Sequence, residues 1–197
     1  MVKGKFRLGV KLILLCLLIL FFLHQDTPTI NAAVHLTADL NQNGTVEEYR
    51  LLDHCLIVEE GKQTLWKSPK DYRIDDFALE DPDNDGQPNL TMSLWKTGSF
   101  GKFKPFWHTE ENNEYKNHLF VYKLEEDTLK PVWCSSNLTN PIESFEIKDI
   151  DGDGANELVV KEGEYKEISE GVYSFDLSKQ AKTTVWKWRE WGFERSK

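Results

Sequence analysis

Phe145-Glu146-Ile147-Lys148-Asp149-Ile150-Asp151-Gly152-Asp153-Gly154-Ala155-Asn156-Glu157-Leu158-Val159-Val160 is the stretch on which the reading of this chain turns. Acidic side chains at every second position, 149, 151 and 153, converge their oxygens on one point, and Gly154 allows the sharp turn that keeps the backbone clear of it. Glu157 adds another oxygen at the ninth position. Such a cage suits a hard cation with six to eight oxygen ligands, calcium before magnesium. Apolar residues stand before the acids at Phe145 and Ile147 and after them at Leu158 and Val160, the pattern of two strands of one hairpin.

Two earlier segments repeat the design. Asp39-Leu40-Asn41-Gln42-Asn43-Gly44 is followed by Glu47, and Asp81-Pro82-Asp83-Asn84-Asp85-Gly86 by Asn89. The expected ligand side chains are Asp39, Asn41, Asn43 and Glu47, then Asp81, Asp83, Asp85 and Asn89, then Asp149, Asp151, Asp153 and Glu157, with the seventh residue of each loop giving only a backbone carbonyl. The first loop, with two acids replaced by Asn, carries the least charge and is expected to bind worst. These are not EF-hands: the twelfth position, where a bidentate Glu belongs, holds Arg50, Met92 and Val160. Nor is there helical periodicity on either side. Loops of this composition also occur as plain acidic turns without an ion.

A second hairpin is expected after each loop, at residues 55–68, 119–136 and 172–188, each ending on a strand that carries Trp66, Trp133 or Trp186. From that Trp to the next loop Asp is 15 residues in one case and 16 in the other, the regularity of a true repeat. The unit is strand, metal loop, strand, strand, turn, strand. Four strands per repeat match a propeller blade, with the three Trp packed between neighbouring blades.

On these residues the chain resembles the FG-GAP and VCBS repeats of integrin-type β-propellers, whose loops read Asp-x-Asp-x-Asp-Gly-x-x-Glu-Leu after Phe-x-Ile-x-Asp. The resemblance covers most of residues 34–188, closest at Phe145 to Val160, then at Phe77 to Leu94, then at Val34 to Leu52. Phe-Gly and Gly-Ala-Pro signatures do not stand in these repeats, so the likeness is to the calcium loop and the blade. It implies an all-β, propeller-like domain of three four-stranded blades, with structural calcium and a role in recognition, adhesion or scaffolding. Propellers usually have at least four blades, so three imply a compact form, an open edge, or self-association that completes the ring.

The N-terminus reads as an export signal. Lys3, Lys5, Arg7 and Lys11 precede an unbroken apolar run of twelve residues, Leu12 to Leu23, whereas a membrane span needs about 20. Residues 1–32 are thus a signal peptide cut near Ala32-Ala33 or a short N-terminal anchor, and 33–197 are the folded domain of a secreted or extracytoplasmic protein. Cleavage removes four basic side chains and one acid, moving the formal net charge from −9 to −12, which excludes nucleic acid as a natural partner. Cys55 and Cys134 remain, either as two small half-buried side chains or as one bridge.

The second repeat is the longest, with 52 residues from loop Asp to Trp against 27 and 37. The extra length follows Trp95 and carries Phe103, Phe106 and Trp107 among lysines. These aromatics are candidates for stacking on a glycan or anchoring a protein at the cell surface, or they fold back over the domain. No His-Glu-x-x-His or Gly-x-Ser-x-Gly occurs, and the five His are scattered, so a non-catalytic binding module is the leading expectation. A cell-envelope accessory protein that binds or processes polysaccharide is the alternative.

Overall fold

The computed structural model describes residues 34–99 and 113–196. The apolar N-terminal run and the aromatics Phe103, Phe106 and Trp107 lie outside the described residues. Among those described there are fourteen strands and no helix long and apolar enough to cross a membrane. In chain order they are β1 Val34–Ala38, β2 Glu47–Leu52, β3 Cys55–Glu60, β4 Gln63–Lys67, β5 Arg73–Glu80, β6 Asn89–Thr97, β7 Tyr115–Glu125, β8 Thr128–Cys134, β9 Ile142–Lys148, β10 Glu157–Glu162, β11 Tyr165–Ser169, β12 Val172–Phe175, β13 Lys182–Arg189 and β14 Gly192–Arg195.

The protein is all-β, built as three open sheets. The first is the antiparallel meander β1-β2-β3-β4, the second contains β5-β6-β7-β8, and the third runs β9-β10-β13-β14. The strands expected on both sides of each loop form as the alternation dictates, and the hairpins β3–β4 and β7–β8 follow the first two loops. Tight turns set their register. At Asp53 and His54 both residues take positive φ, 48° and 63°, the signature of a two-residue turn whose twist matches the strands it joins.

The third repeat departs from the expected pairing. The strand Val172–Phe175 does not pair with the strand that carries Trp186. β12 pairs with β11 instead, β13 takes the free edge of β10, and the fourth strand of the sheet is β14. The reason lies in sheet two. Trp95 is buried there, its indole N–H donating to Asp75 Oδ2 at 2.7 Å. Tyr165 and Phe175 of the β11–β12 hairpin meet it edge-on, with centroids at 5.8 and 5.1 Å. Aromatic burial of this kind draws the hairpin onto sheet two, where Val172 pairs in parallel with Tyr115. Trp186 consequently sits on the third strand of its sheet, while Trp66 and Trp133 sit on the fourth.

Sheet two lies between the others. Alternation sends Leu90, Met92 and Leu94 of β6 to one face, where they join Tyr49, Leu56 and Val58 of sheet one. Leu119 of β7 faces the other way, into a core with Phe145, Ile147, Leu158 and Val160 of sheet three. Trp66 borders the first core, and Trp133 and Trp186 border the second, so all three Trp pack between sheets. A fully buried Leu or Met contributes about 1.5–3 kcal/mol, and β6 is buried from Asn89 through Lys96, which makes it the structural spine. Gly192 lies flat on the Trp133 ring, where a Cβ would collide with the indole nitrogen. The outward faces of the two end sheets are charged: Arg50 pairs with Glu48 and Glu59 on sheet one, and Lys161 with Glu143 on sheet three.

Candidate metal centres

All three Asx-rich loops occupy one place in their sheets, the connection between the first and second strands. The first Asp directly follows the outgoing strand, and the ninth residue opens the returning one. That register buries the ninth side chain under the loop: Glu47, Asn89 and Glu157 are 0%, 3% and 1% exposed. Two backbone positions fix the curl. The sixth residue, Gly44, Gly86 or Gly154, has φ of 86–88°, and the fourth, Gln42, Asn84 or Gly152, has φ of 55–79°.

Backbone N–H groups hold the side chains of the cage. Asp39 Oδ1 and Oδ2 accept from Asn43 and Gly44 at 3.1 and 3.0 Å. Asp81 accepts from Asp85 and Gly86 at 3.2 and 2.9 Å, and Asp149 from Gly152 and Gly154 at 2.7 and 2.9 Å. At the fifth position Asn43, Asp85 and Asp153 each accept the N–H two residues on, at 2.7–2.8 Å. These bonds, charge-assisted wherever a carboxylate accepts, pre-organise the loops.

Their electrostatics then diverge. In the second loop Asp81, Asp83 and Asp85, and in the third Asp149, Asp151 and Asp153, bring one oxygen each within 4.8 Å of one another, but no ion pair to the second-loop set exists among the described residues. Burial pushes the Asp83 carboxyl up to about 6, with Asp85 and Asp81 adding to the push. Two buried oxygens here, Asp83 Oδ1 and Asn89 Oδ1, have no hydrogen-bond partner.

In the first loop the ninth-position carboxylate accepts the Leu40 N–H through Oε2 at 2.8 Å, while Oε1 is buried without a partner. The buried Tyr49 hydroxyl lies in the field of this carboxylate, yet neither atom makes a hydrogen bond of ordinary geometry. Burial raises the Glu47 pKa, and Asp39 and Glu60 add to it. The amide ends of Asn41 and Asn43 donate outward, to Glu126 O and Glu60 Oε1, both at 2.8 Å. Their Oδ1 atoms stay with the loop, accepting from Asn43 N and Thr45 N, so an Asn here keeps an oxygen on the cage side.

The third loop, the nearest to the ideal acidic pattern, holds a cation of its own. Lys187 of β13 stands opposite Glu157 in the ladder, and its Nζ lies 2.8 Å from both Glu157 Oε1 and Asp151 Oδ2 and 3.7 Å from Asp153 Oδ2. This bond holds the Asp151 carboxyl below its ordinary range and raises the pKa of Lys187.

The loops also join the sheets. Asn156 N donates to Asn84 Oδ1 at 2.6 Å, Asn84 Nδ2 to Asn156 O at 3.2 Å, and Asn156 Nδ2 to Asp81 O at 2.9 Å, locking the second loop to the third. Asn41 ties the first loop to the β7–β8 turn in the same manner. The left-handed Asx at position 84 is the sequence signal for this contact. Lys187 has no such signal, because the β10–β13 ladder brings it in from a strand distant in the chain.

A second concave feature lies at the C-terminal end. A cleft of about 240 Å³ is lined by Trp186, Phe193, Asn140, Glu162 and Arg195 among others, and it shares lining residues with a more polar one of about 410 Å³ that reaches Tyr165 and Lys182. Glu162, buried, pairs with Arg195 at 3.2 Å and accepts from Asn140 at 3.5 Å. Cys55 and Cys134 are both free thiols. Compared with known proteins, the chain matches no family model, no curated protein and no solved structure at a significant level.

Proposed function

We propose that the chain is an exported, propeller-like calcium-binding module, related in design to the FG-GAP and VCBS repeats, whose ions are structural and whose activity is binding at the cell surface. One observation carries this reading: buried ligand-position oxygens, Glu47 Oε1 under the first loop and Asn89 and Asp83 Oδ1 in the second, make no hydrogen bond of ordinary geometry. An unmet buried oxygen is costly, and a divalent cation supplies what the protein withholds. Charged outer faces on both end sheets favour a stack that ends at three sheets over completion by another chain. Calorimetric titration with calcium tests the proposal. Binding with Kd of about 10⁻⁴ to 10⁻³ M, and weaker binding of magnesium, is the expected result; the absence of heat up to 20-fold that range sinks it.

A second reading, saccharide binding, is favoured by the C-terminal cleft, whose lining combines the aromatics Trp186 and Phe193 with planar polar side chains able to bond vicinal hydroxyls. Incubation with labelled cell-wall oligosaccharides separates the cases. Capture without turnover, lost in Arg195→Ala, supports a lectin-like role, turnover supports a hydrolase, and neither leaves the calcium module with a protein partner.

A further inference from the structure

We propose that Lys187 is the resident cation of the third loop, that divalent ions are held by the first and second loops alone, and that the C-terminal sheet therefore keeps its structure without calcium. The proposal rests on the reading of these loops as calcium sites and assigns which of them are filled.

The ninth ligand distinguishes the loops. Glu47 and Glu157 are buried in equivalent places, and each gives Oε2 to the N–H of the second loop residue, Leu40 at 2.8 Å and Ile150 at 3.0 Å. They differ in the other oxygen. Glu157 Oε1 has the Lys187 ammonium at 2.8 Å, whereas Glu47 Oε1 has no cation and no hydrogen bond of ordinary geometry, only the Tyr49 hydroxyl nearby. Cross-strand pairing sets this difference. The residue opposite Glu157 is Lys187, whereas the residue opposite Glu47 is Glu60, which adds a negative charge. In the second sheet the register places Tyr122 opposite Leu90, and the next residue, Lys123, sends its ammonium to Glu125 and away from the loop.

An ammonium shared among Asp151, Asp153 and Glu157 puts one positive charge among three carboxylates and bridges the loop to the strand below it. A divalent ion entering the same cage meets a like charge within bonding distance of its ligands and has to expel it. The first two loops present no such competitor. A stepwise ion dependence follows. Withdrawal of calcium loosens sheets one and two at their loops, while the Lys187 bridge keeps the loop of sheet three closed.

Counting bound calcium by equilibrium dialysis at millimolar ion, on the whole protein and on Lys187→Met, tests the assignment. Two ions on the wild type and three on Lys187→Met are expected, with Asp83→Asn reducing the wild-type count to one. Three on the wild type, or two on a folded Lys187→Met, overturns the role given to Lys187. None on either protein overturns the underlying calcium reading instead, and one ion appearing only on Lys187→Met overturns the assignment of the first two loops. Hydrogen exchange on the wild type decides the matter without any variant. Chelator should speed exchange on the order of tenfold at the amides of Gly44 and Gly86 and leave Gly154 unchanged, and equal acceleration at all three refutes the proposal.

Discussion

The first and third loops share a backbone and differ in what neutralises them. The third has the fuller set of acids, yet an ammonium already bridges Asp151 and Glu157. The first has Asn at two acidic positions, yet it buries a carboxylate oxygen that no cation meets and that makes no hydrogen bond of ordinary geometry, and it sets Glu60 beside it. Closeness to an ideal motif is therefore a poor guide to where an ion is needed. What decides the matter is the balance of charge and hydrogen bonding that the fold leaves open.

The largest expected effect is at Glu157. Glu157→Gln keeps an acceptor for Ile150 N but removes the buried carboxylate that the part-exposed Lys187 ammonium bridges to Asp151, and stability should fall measurably. Denaturant midpoints should fall equally in chelator and in calcium; a loss confined to calcium would mean that the third loop is an ion site after all.

Next comes acid, which blurs the comparison unless the contribution of His118 is separated from it. His118 is fully buried on β7, and burial lowers its pKa to about 4 from 6.5. The unfolded chain takes up a proton there before the folded one does, so stability present above pH 6.5 is lost as pH falls to 4, by about 3 kcal/mol. Asp83 works in the opposite direction in chelator. Its folded pKa is raised to about 6, so its contribution is present at low pH and lost as pH climbs from about 4 to 6. Unfolding of His118→Asn across this range should lack the acid loss; an unchanged pH profile would show that the loss arises elsewhere.

Glu47→Gln is the counterpart of the first substitution and should behave differently. In chelator it removes an unpaired buried charge and leaves stability equal or slightly higher. In 10 mM calcium it forfeits the ion of the first loop, about 1.4–2.7 kcal/mol for Kd of 10⁻⁴ to 10⁻³ M. Identical responses of Glu47→Gln and Glu157→Gln to calcium would abolish the distinction between the loops. The smallest effect belongs to the stitch between loops two and three. Asn156→Ala loses the bond from its amide to Asp81 O, about 1 kcal/mol in urea unfolding, and lowers calcium affinity at the second loop without touching the first.

Much of this arrangement was legible in the sequence. Alternating Asx with Gly at the sixth position located all three loops, and period-two apolar residues located the strands on either side, because both signals are local. The partner of β12 was not legible, since it depends on the rings of Tyr165 and Phe175 finding Trp95 of β6, far away in the chain. Nor was Lys187, which lies 36 residues from Asp151 and reaches it only through the β10–β13 register. Ranking the first loop last on charge alone likewise omits Glu60, which the β2–β3 ladder supplies.

Thermal unfolding of the chain from Ala33, in chelator and then in millimolar calcium with magnesium as control, tests the central claim most directly. The account predicts a rise in Tm specific to calcium, because an ion that binds only the folded loops stabilises the fold. An identical Tm in all three conditions would contradict it and leave the loops as plain acidic turns.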